Sequence, residues 1–79
     1  MTLAQAIKRY NLRRVAHDFD GTPLPRGYVL YMSDKETDEA IYHYTADRDE
    51  DFCPHGFLTV ITYYKSRNAE TARTYVLED

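Results

Sequence analysis

The chain has 79 residues, a formal net charge of −3 and one cysteine. This length predicts a single domain spanning residues 1–79, with a small core, because a chain of this size buries only about 60% of its unfolded surface. A lone cysteine excludes an internal disulfide, and the longest apolar run, Tyr28–Met32, is far shorter than the roughly 20 residues that cross a membrane. The first residues lack an apolar signal core, so we expect a cytoplasmic protein with no membrane partner.

Residues 3–10 form the first predicted element, an amphipathic helix. Its apolar side chains recur at the spacing of one helical face: Leu3, Ala6, Ile7 and Tyr10. Thr2 and Gln5 have the pattern of a capping box, which satisfies exposed amides at the start of a helix. Asn11 is a suitable stop, so we predict a helix from about Leu3 to Tyr10. Residues 12–19 fit either a short strand or a continuation of this helix.

From residue 28 onward the pattern changes to strands separated by polar turns. Aromatic and β-branched residues are concentrated in four segments: Tyr28–Met32, Ala40–Thr45, Phe57–Tyr64 and Arg73–Leu77. Ser33 and Glu36 also match a capping box, which offers a rival helix beginning at Asp34, but the IYHYT run that follows favours a hairpin. The predicted fold is therefore α+β: one N-terminal amphipathic helix packed on a small antiparallel sheet of about four strands in two hairpins.

Both faces of the sheet are predicted to be apolar. Side chains alternate along a strand, and residues 57–64 carry apolar residues at both alternating sets of positions. One face carries Phe57, Thr59, Ile61 and Tyr63, and the other carries Leu58, Val60, Thr62 and Tyr64. A helix of about ten residues is about 15 Å long and covers less than half of one face of a sheet about 20 Å square. We therefore expect a partly exposed face that bears tyrosines and binds a partner or a second copy of the chain.

The segment 47–56, DRDEDFCPHG, carries the residue types of a metal or catalytic site. Its Asp spacing imitates a calcium loop, but Phe52 and Leu58 replace the Gly and Glu that such a loop needs. Cys53 and His55 supply too few ligands for a structural zinc site, and four neighbouring acids oppose formation of a thiolate. We therefore predict no catalytic residue, metal or cofactor, and an acidic inter-strand loop whose last three residues turn into the next strand. A small hydrolase or metal-binding domain that uses Cys53 and His55 is an alternative.

Charges are segregated along the chain. The first 15 residues contain four cations and no acid, whereas residues 34–51 contain eight acids and two cations. An alternative function is therefore a small nucleic-acid-binding domain that uses sheet tyrosines and these N-terminal cations: Lys8, Arg9, Arg13 and Arg14. The acids repel phosphate backbones and attract basic protein surfaces, so direct binding of nucleic acid is not the function we expect.

The length, the lone cysteine and the segregated acids, such as DKETDE and DRDED, resemble those of small phage and mobile-element proteins that block host defences. The anti-CRISPR proteins are the best-known group of this kind. The resemblance lies in size and charge rather than in a motif, so it transfers no functional residue. It implies a single acidic domain that occludes a nucleic-acid or partner surface of a host complex.

We therefore predict a non-enzymatic inhibitor that binds another protein with a basic surface. Acids would steer the domain to its partner, and exposed tyrosines would supply apolar anchors. The candidate acids are Asp34, Glu36, Asp38, Glu39, Asp47, Asp49, Glu50 and Asp51. The candidate tyrosines are Tyr42, Tyr44, Tyr63 and Tyr64. A homodimer through an exposed sheet face is a further expectation.

Overall fold

The computed structural model describes residues 1–78, which form one helix and a single antiparallel sheet of five strands. In chain order the elements are α1 (Leu3–Tyr10), β1 (Arg13–Val15), β2 (Tyr28–Glu36), β3 (Ala40–Asp49), β4 (Cys53–Tyr64) and β5 (Ala69–Val76). The strands lie in the sheet in the same order, so each pairs with the next along the chain. The predicted α+β class is confirmed. The predicted number of strands is wrong, because β1 adds a fifth strand within the segment 12–19.

The helix begins and ends where its sequence predicts. The Thr2 hydroxyl accepts a hydrogen bond from the Gln5 amide at 3.2 Å, and the Gln5 side chain accepts one from the Thr2 amide at 2.9 Å. Asn11 closes the helix in the left-handed conformation, with φ of 53°, and its amide donates to the carbonyl of Ile7. The local signals of this element are therefore sufficient to define it.

The rival helix at residue 34 is wrong, because β2 runs through this segment to Glu36. The Ser33 hydroxyl does not cap a helix; it donates to the backbone carbonyl of Tyr10 at 2.6 Å and so joins the sheet to the end of α1. Only residues 37–39 lie between β2 and β3. Nine residues of β2 pair with β3, so the hairpin is longer than the sequence pattern predicts.

The prediction of an acidic loop over residues 47–56 is also mostly wrong. β3 continues to Asp49 and β4 begins at Cys53, so the connection is only residues 50–52. The register shifts between Asp47–Phe57 and Asp49–Cys53, which leaves two extra residues of β4 in a bulge. Gly56 lies in this bulge with φ of 87°, and a Cβ there would stand 2.6 Å from the backbone oxygen of Asp47.

The core lies between α1 and the middle of the sheet. Its buried residues are Ala6, Leu12, Ala46, Leu58 and Leu77. Ala6 of the helix and Ala46 of β3 are both fully buried, and their small side chains allow the two backbones to approach closely. We call this side of the sheet the helix face; in the central strands it carries Tyr42, Tyr44, Ala46, Leu58, Val60, Thr62 and Tyr64.

The opposite side of the sheet, the open face, carries no helix in the described part of the chain, residues 1–78. In the central strands it bears Ile41, His43, Thr45, Asp47, Phe57, Thr59, Ile61 and Tyr63. One corner is covered: Leu30 is 2% exposed, and Ala16, Leu24 and Pro25 line a pocket together with Tyr28. The loop of residues 16–27 therefore lies beside this corner and leaves the rest of the face uncovered.

Candidate protein-binding face

The two faces of the sheet carry opposite charges. Every acidic residue of the five strands projects from the open face, and these residues are Asp34, Glu36, Asp47, Asp49 and Glu70. Arg13 is the one strand lysine or arginine on that face. Alternation thus collects the acids of three strands on the side that has no helix.

The cations of the helix and strands lie almost entirely on the other side. They are Lys8 and Arg9 of α1 and Arg14, Lys35, Arg48 and Arg73 of the strands. The helix itself contains no acidic residue. A chain whose net charge is only −3 therefore presents one acidic and one basic side.

The centre of the open face is a mixture of threonine and apolar side chains. Thr45, Thr59 and Thr74 lie opposite one another in neighbouring strands, and the hydroxyls of Thr59 and Thr74 are 3.4 Å apart. Apolar residues flank this row: Met32, Ile41, Phe57, Ile61 and Val76. Val76 is 76% exposed. The face thus combines an uncharged centre with acids toward its margins, which is the arrangement of protein-binding surfaces.

The predicted acids divide into two groups. Asp34, Glu36, Asp47 and Asp49 lie on the open face. Asp38 and Glu39 lie in the β2–β3 turn, whereas Glu50 and Asp51 lie in the β3–β4 turn. These turns are at opposite ends of the ten-residue strand β3, roughly 30 Å apart. The acids of residues 34–51 therefore do not form one loop cluster, and Glu70 of β5 joins the face from outside that segment.

The predicted tyrosines lie on different faces. Tyr63 is on the open face, where its hydroxyl donates to the Asn68 side chain at 2.5 Å. Tyr42 and Tyr44 are on the helix face with their rings stacked at 6.2 Å, and Tyr10 of α1 lies 4.6 Å from the Tyr44 ring. Burial raises the pKa of the Tyr44 hydroxyl, and the neighbouring tyrosines add to this effect.

Tyr64 is also on the helix face, and its ring is already in contact with a cation. The Arg67 guanidinium lies 4.4 Å from the ring centroid. This distance is within the range of a cation–π interaction. Tyr42, Tyr44 and Tyr64 are thus engaged within the domain rather than standing free.

Three short polar contacts fix acids of the open face. The Tyr28 hydroxyl donates to Asp47 at 2.5 Å, and burial, followed by this hydrogen bond, raises the pKa of Tyr28 well above its ordinary value. Lys65 donates to Glu36 at 2.6 Å, and this bond and the ammonium charge lower the pKa of the Glu36 carboxyl. The Asp34 carboxylate lies 2.7 Å from Nδ1 of His43. These contacts hold the three carboxylates in position on the sheet.

Within residues 1–78, no three His, Cys, Asp or Glu side chains lie close enough to hold a metal ion. Cys53 is a free, half-buried thiol in the first position of β4, and His55 follows two residues later in the bulge. The prediction of a domain without metal, cofactor or catalytic residue stays a prediction.

Sequence reasoning missed part of the open face. Glu70 lies in the part of β5 before residue 73, where the predicted strand begins, whereas Thr74 and Val76 lie within that predicted strand but were not assigned to a face. His43 lies between Tyr42 and Tyr44 in β3, and the sequence prediction assigned a binding role to these two tyrosines but not to the histidine. The signal for all four was the alternation of side chains, which assigns faces once the extent of each strand is known.

The chain matches no protein-family model, and no curated protein or solved structure is significantly similar to it. Over residues 1–78, no helix is both long and apolar enough to cross a membrane.

Proposed function

We propose that the chain is a non-enzymatic protein-binding domain that uses the open face to bind a basic surface of another protein. The observation that carries the proposal is the placement of every strand acid on the side without a helix. The acids at the margins attract partners with a positively charged surface and orient them, while the uncharged centre supplies contact area.

The size of the open face suits this role. The four long strands, β2 to β5, lie about 4.8 Å apart and have about ten residues at 3.3 Å each, which gives a face of roughly 19 by 32 Å, or about 600 Å². Stable protein interfaces of standard size use about 800 Å² from each partner. A single open face therefore supports an interface at the small end of that range.

The expected biochemical effect is inhibition by occlusion. Proteins that handle nucleic acids present basic surfaces, and a bound acidic face would compete there with phosphate backbones. This route needs no catalytic group in the domain itself. It also agrees with the inhibitor of a host nucleic-acid-handling or defence complex that the size and charge of the chain predict.

The test is a matched pair of charge reversals. The face variant Asp34→Lys/Glu70→Lys and the turn variant Asp38→Lys/Glu39→Lys each convert two exposed acids to lysines, so the change in net charge is equal. Each tagged protein is used to capture proteins from a lysate of its native host, and retained proteins are quantified by mass spectrometry. We expect proteins retained by the wild type and the turn variant to be lost from the face variant, because only that variant alters the face.

Two outcomes contradict this proposal. Equal retention by the face variant would show that the acids of the open face are bystanders. Release of the captured proteins by nuclease would show that nucleic acid, rather than a protein surface, holds them. Circular dichroism of each variant confirms that the fold is intact before the comparison.

A second candidate function is binding of single-stranded nucleic acid on the helix side. It is favoured by the six cations of that side and by the tyrosines among them, because bases stack on aromatic rings between phosphate contacts. We rank it second because Tyr42 and Tyr44 stack on each other and Arg67 covers Tyr64. These contacts must open before a base can stack there.

A further inference from the structure

The two edge strands of the sheet differ in how they are protected. β1 has three residues, two of which are arginines, so it offers a short and charged edge. β5 has eight residues, all exposed, and contains no proline. It pairs with β4 without a register shift, and in the described chain no strand pairs with its other side. Proteins protect edges by shortness, charge, proline or bulges, and β5 has only Glu70 and Arg73 for this purpose.

We infer that β5 is a self-association edge, at which a second copy of this chain pairs antiparallel through its own β5. The two copies would form one continuous sheet of ten strands about a two-fold axis perpendicular to the sheet. Such an axis keeps the helix faces of both copies on one side and the open faces on the other. The inference does not rest on the proposed function, because it uses the edge of the sheet and not a face.

The sequence of β5 favours one register. With the axis at Ala72, that residue lies opposite Ala72 of the second copy, and seven residues of each strand, 69–75, are paired. Glu70 then lies opposite Thr74, and Thr71 lies opposite Arg73, so no like charges lie directly opposite each other. An axis at Arg73 also pairs seven residues, but it sets two arginines opposite each other, which destabilises a strand pair. An axis at Thr71 or Thr74 reduces the overlap to five residues.

The Ala72 register also gives the exposed Tyr75 a place to pack. Tyr75 of the second copy lies opposite Ala69, which in turn lies opposite Tyr64 on the helix face. Tyr64 and Thr71 line an open groove of about 450 Å³ along β4 and β5. The Arg73 and Tyr75 side chains of the second copy would enter the outer side of this groove. Tyr75 is 44% exposed in the single chain, so this packing removes apolar surface from water.

The same register joins the two open faces. Ile61 and Ala72 lie opposite each other in β4 and β5, so the apolar row continues through Ala72 and Ile61 of the second copy. The combined open face is roughly twice the area of one copy, about 1,200 Å². An extended peptide from another protein could pair with the same edge, but it would lack this matched row.

The test uses charges placed at the two-fold axis. The wild type, Ala72→Lys and Ala72→Glu are measured by sedimentation equilibrium over a concentration series, alone and as an equimolar mixture of the two variants. We expect the wild type to dimerise with a dissociation constant tighter than about 1 mM and each variant to dimerise at least about tenfold more weakly. The mixture should dimerise more strongly than either variant alone, because an ammonium and a carboxylate would then face each other at the axis. Ala16→Lys in the exposed loop is the control for charge and should behave as the wild type.

The rescue by mixing distinguishes this register from any other association. A wild type that stays monomeric to about 1 mM would overturn the inference, including the case in which the edge serves only peptides of other proteins. Dimerisation of both variants as strong as that of the wild type would also overturn it, as would a mixture no stronger than its components. Circular dichroism of the variants excludes unfolding as the cause of lost dimerisation.

Discussion

Gly56 is the residue on which the bulge of β4 depends. Its φ of 87° is in the region that L side chains avoid, and the backbone oxygen of Asp47 occupies the space of a Cβ. The bulge brings β4 back into register with β3 at Phe57, where the apolar part of the strand begins. One residue without a side chain therefore connects the polar start of β4 to its core-forming half.

At this scale we predict that Gly56→Ala is considerably more destabilising than Gly21→Ala. Both glycines have a positive φ, 87° and 84°, so each substitution costs about 1–2 kcal/mol in backbone strain. Only Gly56→Ala adds a contact with backbone, since nothing lies within 4 Å of a Cβ at Gly21. Urea denaturation measures the free energy of unfolding of the two variants. Equal losses would mean that the bulge moves to accommodate a methyl group.

At the scale of the elements, α1 is short and yet supplies one side of the core. It has eight residues, fewer than the about 12 that an isolated helix needs, so its stability depends on capping and on packing against β3 and β4. Ala6 and the buried Leu58 lie in the same cluster, which couples the helix to the sheet. Loss of the cap should therefore weaken the whole domain.

We predict that Thr2→Ala lowers the free energy of unfolding by about 1 kcal/mol, because the Gln5 amide loses its acceptor. Thr2→Ser keeps the hydroxyl and should retain most of the stability. Thermal unfolding followed by circular dichroism compares the two variants with the wild type. A Thr2→Ser variant as unstable as Thr2→Ala would show that the methyl group, and not the hydrogen bond, stabilises this end.

The elements that the sequence predicts are those with local signals. The helix has a period, a capping box and a stop, and the central strand has a long β-branched run. β1 has neither, because its three residues become a strand only by pairing with residues 30–32 of β2. The last residues of β3 and the first residues of β4 are polar, and Pro54 lies among them, so no local pattern predicts that the two strands extend this far. The end of β3 is held in the sheet by a residue distant in sequence, because Asp49 lies opposite Tyr28 of β2.

At the scale of the whole molecule, the candidate site could be predicted only in part. Alternation predicts from the sequence that Tyr63 and Tyr64 lie on opposite faces. Which of those faces the helix covers is decided by the packing of Ala6 against Ala46 and Leu58, and no local pattern contains that information. The acids of β2 and β3 fall on one face because the two strands pair without a shift up to Asp49, which is also a non-local property.

The charge of the helix side allows a direct test of the second candidate function. We predict that the domain binds fluorescein-labelled single-stranded DNA or RNA no more tightly than about 10 µM at physiological salt, measured by fluorescence anisotropy. A sub-micromolar affinity that is lost in Lys35→Glu/Arg73→Glu would instead favour nucleic-acid binding. Arg13→Glu is the control, because Arg13 lies on the open face. If the domain does bind nucleic acid with sub-micromolar affinity, this affinity should also fall steeply as salt is added.

The sorting of charge between the faces also makes the domain an electric dipole whose axis is perpendicular to the sheet. A molecule of this kind experiences a torque in the field of a charged surface, and the torque acts at distances up to about the Debye length of 8–10 Å. Approach and orientation are then coupled: the domain turns its acidic side toward positive potential before any contact forms. The net charge of −3 sets how strongly the domain is attracted to a positively charged surface, whereas the dipole determines which of its residues make the first contact with that surface.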